Sequence, residues 1–99
     1  MASEIEFEWD PQKDRANQAK HGVSFSEAVT AFYDENGYLL DDPDHSDDED
    51  HFVLLGLSAA LRVLVVAHCF RGRDATIRII SARRANPSET ALSDARLSP

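Results

Sequence analysis

The sequence predicts a small α+β domain, with two N-terminal helices on one face of an antiparallel sheet and a third helix at the C-terminus. Three observations lead there. Two well-capped helix starts stand between residues 10 and 33. Three extended apolar segments follow between residues 51 and 82, joined by links too short for the dozen or more residues of a parallel crossover. A single chain of 99 residues has room for one modest core, so these elements must share it. The order of strand, helices, strands and helix describes one domain over residues 1–99, with helices segregated to a face of the sheet.

The segment "IEFEW" at 5–9 alternates Ile5, Phe7 and Trp9 with Glu6 and Glu8, the mark of a half-buried strand. Asp10 can then cap a helix that opens on Pro11, where the missing N–H costs nothing, and Gly22 stops it. Ser24 with Glu27 three residues on is a capping-box pattern. It predicts a second helix over 24–33 whose buried stripe is Phe25, Ala28, Val29 and Phe32, with Val23 stapling its entry. An Asn-Gly turn at 36–37 precedes a short strand. "HFVLLGLS", "LRVLVVAHCF" and "ATIRIISA" form the meander. Asn86, Pro87 and Glu89 then start a third helix with a thin apolar stripe, which needs a surface to dock on, and residues 93–99 are expected to be its weakly ordered end.

Charge is segregated along the chain. Eighteen acids against ten Lys and Arg give a formal charge of -8, yet residues 41–50 hold seven of the acids and residues 71–84 hold five arginines against one aspartate. The overall sign repels a polyanion at long range, while a local arginine patch can still hold a phosphate. The apolar runs are too short to span a bilayer and the N-terminus lacks the pattern of a signal peptide, so a cytoplasmic protein is expected. Cys69, alone in its kind and set in an apolar strand, is read as an inert buried thiol.

Guanidinium forks match pairs of phosphate oxygens and keep their charge at any working pH. Arg71, Arg78 and Arg83 are therefore candidates to grip one phosphodiester and neutralise the charge that grows as an internal 2'-hydroxyl attacks, without a metal. The competing reading is a solvated sheet face whose arginines pair with local carboxylates. Arg84 is a further candidate for substrate contact, and ordinary surface charge explains it as well. His68 and His21 have the chemistry for proton transfer, and His68 would approach Arg78 across the ladder in a suitable register. A sheet histidine can equally serve packing, and His21 suits the negative end of its helix. The acidic stretch with His45 and His51 lacks the central glycine of a calcium loop and the spacing of a zinc site, so no metal or cofactor is expected.

Taken in order, "FEWDPQKDRANQAKHGVSFSEA", "DPDH", "FVLLGLS", "LVVAHCFRGRD" and "IRIISARRA" resemble the BrnT ribonuclease toxins of bacterial type II toxin–antitoxin modules. The resemblance implies a RelE-like fold, metal-independent RNA cleavage, and neutralisation by a BrnA-like antitoxin in a hetero-oligomer that reaches operator DNA only through the antitoxin. It also implies that Lys20, His21, Arg71, Arg78 and Arg83 line the functional surface. Two departures stand out: Asp50-His51 replaces a common Glu-Arg pair, and Thr90 and Ser93 stand where an arginine and a tyrosine are usual. They leave a second reading open, a weak or inactive homologue that binds antitoxin in a repressor complex.

Overall fold

The computed structural model describes residues 5–41, 51–71 and 76–97, so the acidic stretch after Asp41, with His45, lies outside the described residues. Its elements are β1 (Glu6–Glu8), α1 (Pro11–His21), α2 (Phe25–Ala31), β2 (Tyr38–Asp41), β3 (His51–Leu57), β4 (Val63–Arg71), β5 (Thr76–Arg84) and α3 (Pro87–Leu97). The five strands form one sheet in the order β1-β5-β4-β3-β2. Strands β2 to β5 are the antiparallel meander. The sheet is nevertheless mixed, because β1 lies parallel to β5. The short-link rule could not reach that pairing, since β1 and β5 are joined through the whole intervening chain.

The helix boundaries follow their caps. The Asp10 carboxylate accepts from Gln12 N–H at 2.9 Å, and Gly22 closes α1 at φ 69°, a left-handed position that suits glycine. Ser24 Oγ accepts from Glu27 N–H at 3.0 Å. The return half of that capping box does not form, because the Glu27 carboxylate turns to Arg62 and to Ser58 Oγ, 2.7 Å away. The pairing with Arg62 holds the Glu27 carboxyl below the usual carboxylate range and ties α2 to the β3–β4 turn. At α3 the box is complete: Asn86 and Glu89 exchange bonds of 2.8 and 2.9 Å.

The core lies between α1, α2 and one face of the sheet. Val23, Phe25, Ala28 and Ala31 meet Leu54, Leu64, Val66, Ile77, Ile79 and Ala82, flanked by Phe7, Trp9 and Phe32. Ala31 replaces Val29 in the expected stripe, because α2 approaches β3 where Gly56 has no side chain. A Cβ at Gly56 would stand 2.8 Å from the Ala31 carbonyl oxygen. Gly56→Ala is thus expected to cost roughly 1–3 kcal/mol through a forced backbone shift. Thermal unfolding measures it, and an unchanged midpoint would contradict the close approach.

One irregularity decides which side chains share a face. Ala67 pairs with Ser81 but His68 pairs with Ile79, so Ile80 is the extra residue of a β-bulge. Strict alternation puts Ala82 with Arg78 and Arg83 with Ile77. The bulge reverses both: Ala82 rejoins Ile77 and Ile79 in the core, and Arg83 comes to the face of Arg78.

Candidate active site

Away from α1 and α2, the second face of the sheet carries a registered row. Glu8 on β1 lies opposite Arg78 on β5, Arg78 opposite Cys69 on β4, and Cys69 opposite His51 on β3. Period-two alternation turns all four to the same side. Arg78 Nη1 donates to Glu8 Oε2 at 2.8 Å, and Arg71 Nε lies 3.9 Å from the same oxygen. The three side chains keep 32% (Arg78), 41% (Glu8) and 48% (Arg71) of their surface in solvent, so the cluster is open to a ligand. Cys69 beneath it is buried, as its apolar surroundings foretold.

Arg83 shares the face but not the cluster. Its partner on β4 is Val65, four residues from the Cys69 that faces Arg78, a separation of roughly 13 Å along the strand. Both its terminal nitrogens are 2.8 Å from the Glu89 carboxylate, a bidentate fork. That bond keeps the Glu89 carboxyl below its usual range and pins the first turn of α3 to β5. The expectation that Arg71, Arg78 and Arg83 converge on one phosphate is corrected here: two of them share a carboxylate and the third holds another.

The remaining candidates lie elsewhere. His68 pairs with Ile79 on the core face, so it cannot approach Arg78 across the ladder. It is fully buried, with the rings of Phe32, Phe52 and Phe70 centred 4.8, 6.1 and 5.7 Å away. Its Nδ1 is 3.0 Å from the Val66 carbonyl, and among the described residues nothing hydrogen-bonds Nε2. Burial holds the imidazole below the usual histidine range, against the opposing pull of that carbonyl. The unfolded chain therefore takes up the proton more readily, so stability is full above pH ~6.5 and is lost as pH falls from there through the lower folded pKa. In His68→Leu this acid-side loss should vanish from the unfolding midpoint measured between pH 7 and 4.5; persistence of the same slope would count against it.

Lys20 and His21 end α1 on the covered side of the sheet. That end is fixed by Asn17 bonding Ala82 and by Arg62 donating to the Gly22 carbonyl at 3.1 Å, far along β5 from Arg78. Arg84 faces the same side and lines a hollow of about 260 Å³ with Leu61, Arg62, Val63, Ala85 and Thr90. The sheet therefore separates Lys20, His21 and Arg84 from the Arg71–Glu8–Arg78 cluster. The residue that sequence reasoning passed over is Glu8. Alternation had placed Glu8 on a solvent face, but only strand order and register put it beside the arginines.

Among the described residues no group of three or more His, Cys, Asp or Glu is placed to share a metal ion, and no helix is long and apolar enough to cross a membrane. No curated protein matches the chain. A 1.1 Å crystal structure of the Brucella abortus ribonuclease toxin BrnT is similar in fold, with a TM-score of 0.63 and 22% identity over 84% of this chain and 99% of that one. The α+β architecture with its five-stranded sheet is thus a RelE-like, BrnT-type fold. Residues 9–89 match the family model described as the ribonuclease toxin BrnT of type II toxin–antitoxin systems. With more than three quarters of its length inside that match, from the Trp9 that follows the site's β1 strand to the Glu89 that holds Arg83, the chain belongs to the BrnT ribonuclease toxin family.

Proposed function

We propose that this chain is an endoribonuclease toxin in which Arg71 and Arg78 hold the scissile phosphodiester while the neighbouring 2'-hydroxyl attacks phosphorus. The observation that carries the proposal is one carboxylate oxygen shared by two guanidiniums on an exposed part of the sheet. A site where one guanidinium bonds an anionic oxygen and a second stands 3.9 Å from it has the charge for a phosphate in the same place. As O2' bonds to phosphorus, negative charge grows on the non-bridging oxygens, and fixed guanidiniums stabilise that state more than the ground state. The chemistry assigns no step to a metal.

Arg83 holds α3 through Glu89 and lies beside the next part of a bound strand. Lys20 and Arg84, on the other side of the sheet, touch RNA if a longer strand wraps the sheet end. The cognate partner is a BrnA-like antitoxin, which silences the enzyme by covering this face and carries the complex to operator DNA.

The test is cleavage of a defined RNA by the free protein with chelator present. The expected products end in 2',3'-cyclic phosphate and 5'-hydroxyl, and a single 2'-deoxy substitution at the cut site should abolish that cut. A folded protein that cuts none of a varied RNA pool would overturn the enzyme reading. The second reading, an antitoxin-binding module without turnover, draws on the carboxylate partners that Arg71, Arg78 and Arg83 already hold. Tight antitoxin binding without RNA cleavage selects it.

A further inference from the structure

We propose that Glu8 is the general base of this site, taking the proton from the attacking 2'-hydroxyl. This rests on the ribonuclease reading above and deepens it. A proton acceptor must lie within hydrogen-bond reach of the hydroxyl when the phosphate is held by the arginines. The described histidines fail that condition: His68 is enclosed by aromatic rings on the core face, His21 ends α1 beyond the sheet, and His51 shares the face of Arg78 but stands two strands away, roughly 10 Å, with Cys69 between them. Glu8 meets it, with its carboxylate already 2.8 Å from Arg78 and half exposed at the sheet surface. Glu6, two residues back on the same face, lies opposite Thr76 rather than an arginine.

Incoming phosphate competes with Glu8 for Arg71 and Arg78. The displaced carboxylate stays beside the phosphate it has yielded to, where a 2'-hydroxyl must lie for in-line attack. The O2'–H bond then breaks toward a Glu8 oxygen as O2' bonds to phosphorus. The P–O5' bond breaks, and the 5'-oxygen takes its proton from solvent water. Glu8 returns its own proton to solvent, and no oxidant, reductant or metal is needed to balance the step. The same carboxylate screens the arginines in the empty protein, so RNA binding and base release are one event.

The experiment compares Glu8→Gln with the parent on a defined RNA oligonucleotide, with chelator present. Glutamine keeps an oxygen for Arg78 but cannot take up the proton. Cleavage at saturation should fall about 100-fold or more, KM should stay level or drop, and the acid limb of the pH–rate profile should disappear. A 5'-phosphorothiolate substrate, whose sulfur leaves without a proton, should not restore the rate. Activity within threefold of the parent with the acid limb kept, while Arg78→Ala is inactive, would overturn the assignment of Glu8 and leave the ribonuclease reading standing. Rescue by the sulfur leaving group would also overturn it, making Glu8 a proton donor. If the parent protein itself cuts no RNA, both fall together.

Discussion

Arg78→Ala is expected to slow RNA cleavage by about two decades while the protein stays folded. Losing one preorganised donor to a developing oxyanion costs about 3 kcal/mol in the transition state, and each ~1.4 kcal/mol is a factor of ten. The loss has a second source here, since Glu8 loses its 2.8 Å partner and turns an uncompensated charge toward the phosphate. Arg78→Lys keeps the charge without the fork, so it should recover only part of the rate. Stability should hardly change, because a half-exposed ion pair is worth about 0–1 kcal/mol. Single-turnover kinetics with a thermal melt on the same sample separates the two effects. Cleavage at the parental rate would remove Arg78 from the site.

The largest effect on stability is expected at Asn17. This buried amide donates from Nδ2 to the carbonyls of Val23 and Ala82, both at 2.8 Å, and accepts from Ala82 N–H at 3.1 Å. It joins α1, the start of α2 and β5 at the point where the strand has just left its bulge. Replacing it with leucine leaves three buried backbone groups without partners, each worth about 1–3 kcal/mol when stranded. We expect a loss of about 3 kcal/mol or more, which for a domain of this size lowers the unfolding midpoint by roughly 15 °C. Asn17→Asp should be as severe, since a carboxylate cannot donate to either carbonyl. A midpoint within 3 °C of the parent for both variants would show that the bonds are dispensable.

Local chemistry was readable from the sequence, and long-range placement was not. Asp10-Pro11, Ser24-Glu27 and Asn86-Pro87-Glu89 mark helix starts because their side chains satisfy backbone groups within three residues, so nearby sequence suffices. The three long strands and their antiparallel order follow from short links in the same way. The parallel seat of β1 beside β5 is a contact across some seventy residues, and no local pattern specifies it. The faces of β5 depend on Ile80 being an extra residue. That is a property of its pairing with β4 rather than of "IRIISARR" itself.

These two features account for most of what the site reading missed. Guanidinium chemistry singles out Arg71 and Arg78, and they are neighbours around Glu8. The same chemistry singles out Arg83, whose bond to Glu89 is hidden in the sequence because Glu89 also reads as a capping residue. His68 looked like a partner of Arg78 until register placed it opposite Ile79. Glu8 drew no attention as an acid in an acidic chain. It gains meaning once β1 is laid against β5, which turns the question of why the arginines lie there into a matter of what they hold.

What the arginines hold is read most directly by following their side-chain N–H signals by NMR as an RNA made uncleavable by 2'-deoxy substitution is titrated in. Saturable shifts are expected at Arg71 and Arg78, with the Glu8 carboxyl carbon moving in step as phosphate takes its place. Saturable binding that leaves all three unmoved and instead shifts Lys20 and Arg84 would contradict that exchange.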